Sequence, residues 1–474
     1  MKKIILLQAL IIAGISAIAA QTPWMHIYST DTLGITRVKS FNPEKIDSIK
    51  HIPDECGMYG ALAVHSDNET VDTLQMGTMA KCHFAPQVPI VTINIKDGAE
   101  VTSKKDYLDA TISVEGNGFC DDFEETAVQI RGRGNTTWYL PKKPYRLKFS
   151  KKQNFGGLPA KAKSFVLIAN FLDQTLMRNT VAFKIADMLG LPYTNHSVPV
   201  ELVVNGTYRG SYMLSEKIGI NGGSVDIDED EGVLLELDTN YDEDYKFRTE
   251  QFNLPVMIKD PDLAEIVEAD TTGTLDTDSL VRYWKADFSR FTDALAGVSG
   301  EDWAEYVDLE SAVKYVFVFS LTLNFEINQP KSVYMYKPSA ADKYYFGPVW
   351  DFDWAYNFSS VGDDPDRYVA QLASPTSYTY ALTRTPAFKK AFRLLVNDFY
   401  NNRMEELMDY IDEYASFIAP SAYHNGELWP KGCFETASYR NLESSERFYE
   451  HVEILKTFLR NRIERMYSTQ SNGL

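Results

Sequence analysis

The sequence predicts an α+β fold, two-lobed, with a β-rich N-terminal lobe and a mainly helical C-terminal lobe. Three observations carry this. Apolar residues alternate in short runs between residues 91 and 214, the period of half-buried strands. After about residue 279 the spacing turns helical. The final segment sets Phe448, Val452, Leu455, Leu459, Ile463 and Met466 on one helical face. Strands first and helices later belong to the α+β class. At 474 residues, 44% hydrophobic and 24% charged, the chain can bury a large core with additions.

In chain order, Lys2 and Lys3 precede an apolar run that ends in small residues before Gln21, so residues 1–20 read as a signal peptide. No Cys stands at the junction, which argues against a lipoprotein, and no later run is apolar enough to span a membrane. The expectation is an exported protein, periplasmic or secreted, with no stable membrane span after cleavage. Residues 21–54 read as a short β-rich leader, too small for its own core. Residues 55–88, polar and rich in small side chains, read as a linker. The main domain is expected over 89–467, and 468–474 as a tail. Within it, strands are predicted at 91–95, 110–114, 128–133, 145–149 and 164–169, and a helix at 173–188 stopped by Gly190. Two more strands, 198–204 and 210–214, flank an Asn205-Gly206 turn. A hairpin over 332–349 interrupts the helical half.

Charge and cysteines narrow the chemistry. A net charge of −19 repels phosphate backbones and excludes general nucleic-acid binding. The four cysteines, Cys56, Cys82, Cys120 and Cys433, permit two disulfides in an oxidising compartment, with Cys56 and Cys82 the closest in sequence. None has the spacing of a zinc site.

Three stretches hold chemistry-bearing residues. In Arg131-Gly132-Arg133-Gly134-Asn135, glycines between arginines after a strand let backbone approach an anion. The following strand alternates Tyr145, Leu147 and Phe149 against Arg146 and Lys148, which share the other face. A Gly-rich turn followed by a strand lysine is how kinases hold nucleotide phosphates; a solvated basic strand is the plainer reading. In Trp350-Asp351-Phe352-Asp353, two carboxylates leave an apolar strand end two residues apart, which suits Mg²⁺ held between protein and phosphates, or else a turn capped by Asp. In Asn324-Phe325-Glu326-Ile327-Asn328, a base, a metal ligand and a positioning amide can sit in one loop, or simply cap a helix end. The run starting at Asp238 opens like a calcium loop but lacks its Gly and final Glu, so it reads as solvated.

Together these blocks resemble the CotH kinase family, the secreted and spore-coat atypical protein kinases. The matching stretches are IRGRGNTTW with KKPYRLKF, FVLIANFLDQTLMRNTVAFKIADMLGLPY, VELVVNGTYRGSYMLSEKI, LLELDTNYDEDYKF, NFEINQPKSVYMYK and GPVWDFDWAYN, in family order from about residue 89 to 467. The resemblance implies a kinase-like fold, ATP with Mg²⁺ or Mn²⁺, and transfer of the γ-phosphate to Ser or Thr of a protein. Carried over by position, Lys148 contacts the phosphates, with Arg131, Arg133, Gly134 and Asn135 nearby, and Glu216 borders the adenine. Asp351 binds metal, assisted by Asp353 and Asn328, and Glu326 is the catalytic base. Arg178 and Asn179 match a family helix motif without an assigned role. Three departures stand out. Glu326 occupies the place of an Asp, Ser332 follows Lys331 where Asn is usual, and Asn357 replaces a Gly. They leave open a catalytically weak or inactive kinase-like module that binds exported proteins or glycans. A glycan hydrolase using Glu326 and Asp351 leaves the Gly-Arg turn and Lys148 unexplained. The acidic chain suits a basic, Ser-rich protein substrate.

Overall fold

The computed structural model describes residues 24–30, 36–52, 61–66, 69–75, 79–85, 87–356, 376–429 and 448–471. The expected signal segment, Cys56, Cys433 and Asn357 lie outside them. Cys120 is a free thiol, so the four cysteines do not form two bridges.

Six short strands come first: β1 (Trp24–Thr30), β2 (Thr36–Phe41), β3 (Ser48–Ile52), β4 (Ala61–Ser66), β5 (Glu69–Gln75) and β6 (Met79–Ala85). They pair into two three-stranded sheets, β2-β1-β6 and β3-β4-β5. The stretch expected as a linker therefore carries β4, β5 and β6. Composition hid them because β4 is a central strand that buries a continuous run of mostly small residues, Ala61, Leu62, Ala63 and Val64. Met25, Ile27, Leu62, Val64 and Leu74 form a small core between the sheets. Tyr28 and Val38 belong instead to the main core, where Tyr28 meets Tyr423 edge to face at 6.1 Å. Leader and supposed linker thus pack as one β unit against the main body.

The next seven strands close into a barrel. They are β7 (Ile90–Ile95), β8 (Leu108–Glu115), β9 (Phe123–Gly132), β10 (Tyr145–Gln153), β11 (Ala162–Ile168), β12 (Val198–Val204) and β13 (Thr207–Glu216), in the order β10-β11-β13-β12-β7-β8-β9. The β12–β7 pairing is parallel and the other barrel pairings are antiparallel. Val91, Ile93, Ile130, Leu147, Phe165, Val200 and Leu202 fill the interior, on the alternate positions the strand pattern requires. Helix α1 (Arg178–Met188) leaves the barrel between β11 and β12. It starts five residues later than its apolar spacing suggests. Asp173 accepts hydrogen bonds from the Thr175 and Arg178 backbone amides, and Leu176 takes a left-handed φ of 56°, so residues 173–177 form a turn.

The remainder mixes sheet and helix. It contains β14 (Val233–Leu237), β15 (Lys246–Arg248), β16 (Pro255–Asp260), α2 (Leu263–Ala269), α3 (Thr277–Leu295), α4 (Leu309–Thr322), β17 (Val333–Lys337) and β18 (Tyr345–Phe346). Four helices follow: α5 (Tyr378–Arg384), α6 (Pro386–Asp398), α7 (Met404–Leu428) and α8 (Phe448–Ser471). The predicted hairpin is β17–β18, and it joins a five-stranded sheet, β15-β16-β14-β17-β18. This half is therefore less purely helical than the apolar periodicity predicts. Asp276 and Asp308 cap α3 and α4 by accepting from the Ser279 and Ser311 amides at 2.8 and 2.7 Å. Helix α4 is buried on nearly all sides, as its apolar sequence demands. Helix α8 buries the six apolar residues of its predicted stripe and continues past residue 467 to Ser471. Among the described residues, no helix is long and apolar enough to cross a membrane.

Candidate active site

A cleft of about 660 Å³ lies between the barrel's β9–β10 turn and the loops that follow α4 and β18. One side is cationic. The β9–β10 register sets Arg131 directly opposite Arg146, and both line the cleft with Arg133. Like charges facing across a ladder destabilise it, so the pair is best balanced by an anion. Burial lowers the Arg146 pKa, and Arg131 and Arg133 push the same way. Arg131 is steered by a hydrogen bond to the Lys104 carbonyl and by the Tyr107 ring, 4.9 Å away. Lys104 in turn donates to the Gly134 carbonyl at 2.9 Å. Gly132 makes room for the Trp138 side chain. A Cβ there would lie 2.2 Å from the Trp138 ring, which folds back over the turn. Gly132→Ala is expected to destabilise the protein by about 1–3 kcal/mol, read by urea denaturation.

The other side is anionic and built from three segments. Asp351 and Asp353 follow β18, Glu326 sits in a single helical turn after α4, and Glu236 and Asp238 end β14. Burial raises the Asp351 pKa, opposed by Arg133. Burial, then Asp351 and Asp173, push Asp353 up to about 7. Burial, then Asp351, push Glu326 up to about 8. Asn324 organises this side: its side-chain oxygen accepts from the Glu326 amide at 3.0 Å and its amide group donates to the Asp351 carbonyl at 3.1 Å. The backbone is strained here. Leu323, Ser332 and Asp351 have φ of 56°, 50° and 65°, a region costly for residues with a Cβ.

Arg133 lines the cleft within the electrostatic reach of the acidic side. Burial lowers its pKa, while Asp351, Tyr334, Asp353 and Glu236 favour its charged form. Lys259 bridges Glu236, 2.9 Å away, and Glu243. Against the pull of burial, both carboxylates hold Lys259 above its ordinary range. Lys217 also lines the cleft, pushed down to about 8 by burial, Arg146 and Lys259.

The residues expected at the site divide. Arg131, Arg133, Gly134, Asn135, Glu326, Asp351 and Asp353 line the cleft together. Lys148, Glu216 and Asn328 are not among its lining. Lys148 shares the strand face of Arg146, but two residues further along β10 it is exposed, 6.0 Å from the Tyr107 ring. Phase along a strand gives the face and not the depth. Glu216 is buried elsewhere: its carboxylate takes the His196 amide at 3.2 Å and ring Nδ1 at 2.9 Å. The side chain of its neighbour Lys217 enters the cleft instead. The Asn328 amide oxygen accepts from the Thr379 hydroxyl at 2.8 Å. Arg146 enters the sequence reading only as a neighbour of Lys148 on the strand face, and Lys217, Glu236 and Lys259 have no site role in it; Asp238, expected in a solvated run, is buried in the cleft wall. One signal was present, a lone Glu236 among the leucines of an otherwise apolar, fully buried strand.

Among the described residues, no three His, Cys, Asp or Glu side chains form a closed metal-binding group. A site for Mg²⁺ does not need one, because that ion is commonly held by one or two carboxylates with phosphates and water completing its shell. The donor set fits. Asp351 and Asp353 are hard oxygen donors, their repulsion with Glu326 is only partly compensated, and the buried Glu326 Oε2 has no hydrogen-bond partner.

Comparison with known families matches residues 130–466 to the family described as CotH kinase protein. Among curated proteins nothing matches. Among solved structures, the crystal structure of a Helicobacter pylori proinflammatory kinase, CtkA, aligns at 12% identity over 69% of this chain and 94% of that one. Its TM-score of 0.29 is too low to inform the geometry.

Proposed function

This chain belongs to the CotH kinase protein family, and on that premise we propose that it is an exported protein kinase that transfers the ATP γ-phosphate to Ser or Thr of a protein. The observation that carries the reading is the two-sided cleft, with arginines on one wall and acidic side chains on the other, close enough that the carboxylates favour the charged form of Arg133. Three arginines suit a polyphosphate, and Asp351 and Asp353 would hold Mg²⁺ or Mn²⁺. Such an ion, when bound, neutralises charge on the phosphate oxygens. Arg131, Arg133 and Arg146 orient the phosphates. Glu326 takes the proton of the acceptor hydroxyl as its oxygen bonds to the γ-phosphorus, while the bond from that phosphorus to the bridging oxygen breaks and ADP leaves. Arg133 offsets the charge that builds on the transferring group.

Export is supported by the N-terminal basic and apolar segment, and a basic, Ser-rich acceptor by the net charge of −19. One observation favours a second reading, a catalytically weak or inactive binding module. Burial and the neighbouring Asp351 favour the protonated form of Glu326 before ligands arrive, and that form cannot act as a base. Incubating the full chain with γ-labelled ATP, Mg²⁺ or Mn²⁺ and a basic Ser-rich protein separates the two. Label on Ser or Thr supports the kinase. ATP binding without label on either protein, across pH 6 to 9, supports the module.

A further inference from the structure

We propose that Asn179 is the positioning residue of the acidic wall: its side-chain amide fixes Asp353 through one carboxylate oxygen and leaves the other to a divalent cation. This rests on the phosphotransfer reading and deepens it by assigning a role on α1, an element far in sequence from the carboxylates.

Asn179 is buried in the first turn of α1. Its Oδ1 accepts from the Phe352 backbone N–H at 2.7 Å, and its Nδ2 donates to Asp353 Oδ1 at 2.5 Å. A backbone N–H can only donate, so it selects the oxygen end of the amide and turns the nitrogen end to the carboxylate. Beside it, the Arg178 guanidinium donates to the Asp353 carbonyl at 3.0 Å, and the Tyr356 hydroxyl donates to the Arg178 carbonyl at 3.0 Å. Asp173 fastens this turn by accepting from the Arg178 backbone amide at 2.8 Å.

A buried amide is costly unless its groups are bonded, and both ends of this one are used on the same loop. An aliphatic residue could fill the same buried position. What it could not do is hold Phe352 and Asp353 at once. Partners of this kind orient metal-binding carboxylates, and their loss typically weakens metal binding about 10–100-fold.

The test is Mn²⁺ affinity of the full chain with a non-hydrolysable ATP analogue, read by electron paramagnetic resonance. Four forms are compared: wild type, Asn179→Ala, Asp353→Ala and the double variant. The expected result is a 10–100-fold loss for Asn179→Ala that shrinks to less than about twofold when Asp353 is already Ala. The KM for Mn²⁺ rises in parallel, while the KM for ATP at saturating Mn²⁺ stays within about twofold. A general structural role predicts the same loss in both backgrounds, and that result overturns the proposal, as does unchanged Mn²⁺ affinity in Asn179→Ala. If Asn179→Ala melts below the assay temperature, Asn179→Ser is read in the same cycle. Wild type that binds no Mn²⁺ would overturn the metal-dependent kinase reading itself, and the proposal with it.

Discussion

Asp351→Asn is expected to lower phosphate transfer by at least about 10³-fold while the fold survives. The size follows from electrostatics, since losing about 4 kcal/mol of stabilisation of the transferring phosphate corresponds to that factor. Survival follows from the backbone. Residue 351 has φ 65°, and Asn is among the few side chains that tolerate this region. Its carbonyl still accepts from Asn324. The substitution also removes a repulsive neighbour of Glu326 and Asp353, so both titrate at lower pH. Steady-state transfer and thermal melting of the same preparation check both halves of the expectation: activity is lost and melting temperature is kept or raised.

Glu326→Gln is expected to cost transfer about 10²–10⁴-fold, the usual worth of a positioned general base, and to stabilise the protein without ligand. Burial and Asp351 raise Glu326 from 4.5 unfolded to about 8 folded. Between these values the folded state binds the extra proton, so stability falls as pH rises. Gln has no such proton to lose. Urea denaturation should show the variant more stable by on the order of 2 kcal/mol at pH 8 and nearly equal to wild type at pH 4. Wild-type transfer should rise with pH toward about 8, and more steeply at low Mg²⁺, where less positive charge stands near Asp351. A gain that is the same at both pH values would mean that Glu326 is not the strained group.

Much of the fold is legible because alternation and helical spacing report burial directly. The barrel strands and the stripe of α8 are examples. The β4–β6 segment is not, because its central strand β4 buries Ala61, Leu62, Ala63 and Val64 in an unbroken run and so shows no alternation. The site divides along the same line. The Gly-Arg turn and the Asp351–Asp353 pair announce themselves as charged residues beside strand ends, and family order brings them together. Lys148 misleads because alternation cannot say how far along β10 the cleft extends. Glu216 misleads because nearly all of β13 is buried, so alternation there carries no information about which side faces the cleft. Lys259 and Asn179 gain their meaning from partners distant in the chain, Glu236 and Asp353, which no local pattern encodes.

In the proposed function the arginine wall and the carboxylate wall are halves of one ATP–metal site. Calorimetric titration of ATP into the full chain, with and without Mn²⁺, tests it most directly. The expected result is ATP affinity at least about tenfold tighter with Mn²⁺, a coupling of roughly 1.4 kcal/mol. That coupling should vanish in Asp351→Asn, and ATP binding itself should be lost in Arg133→Ala. ATP affinity indifferent to Mn²⁺ in the wild type, or unaffected by Arg133→Ala, would contradict the claim.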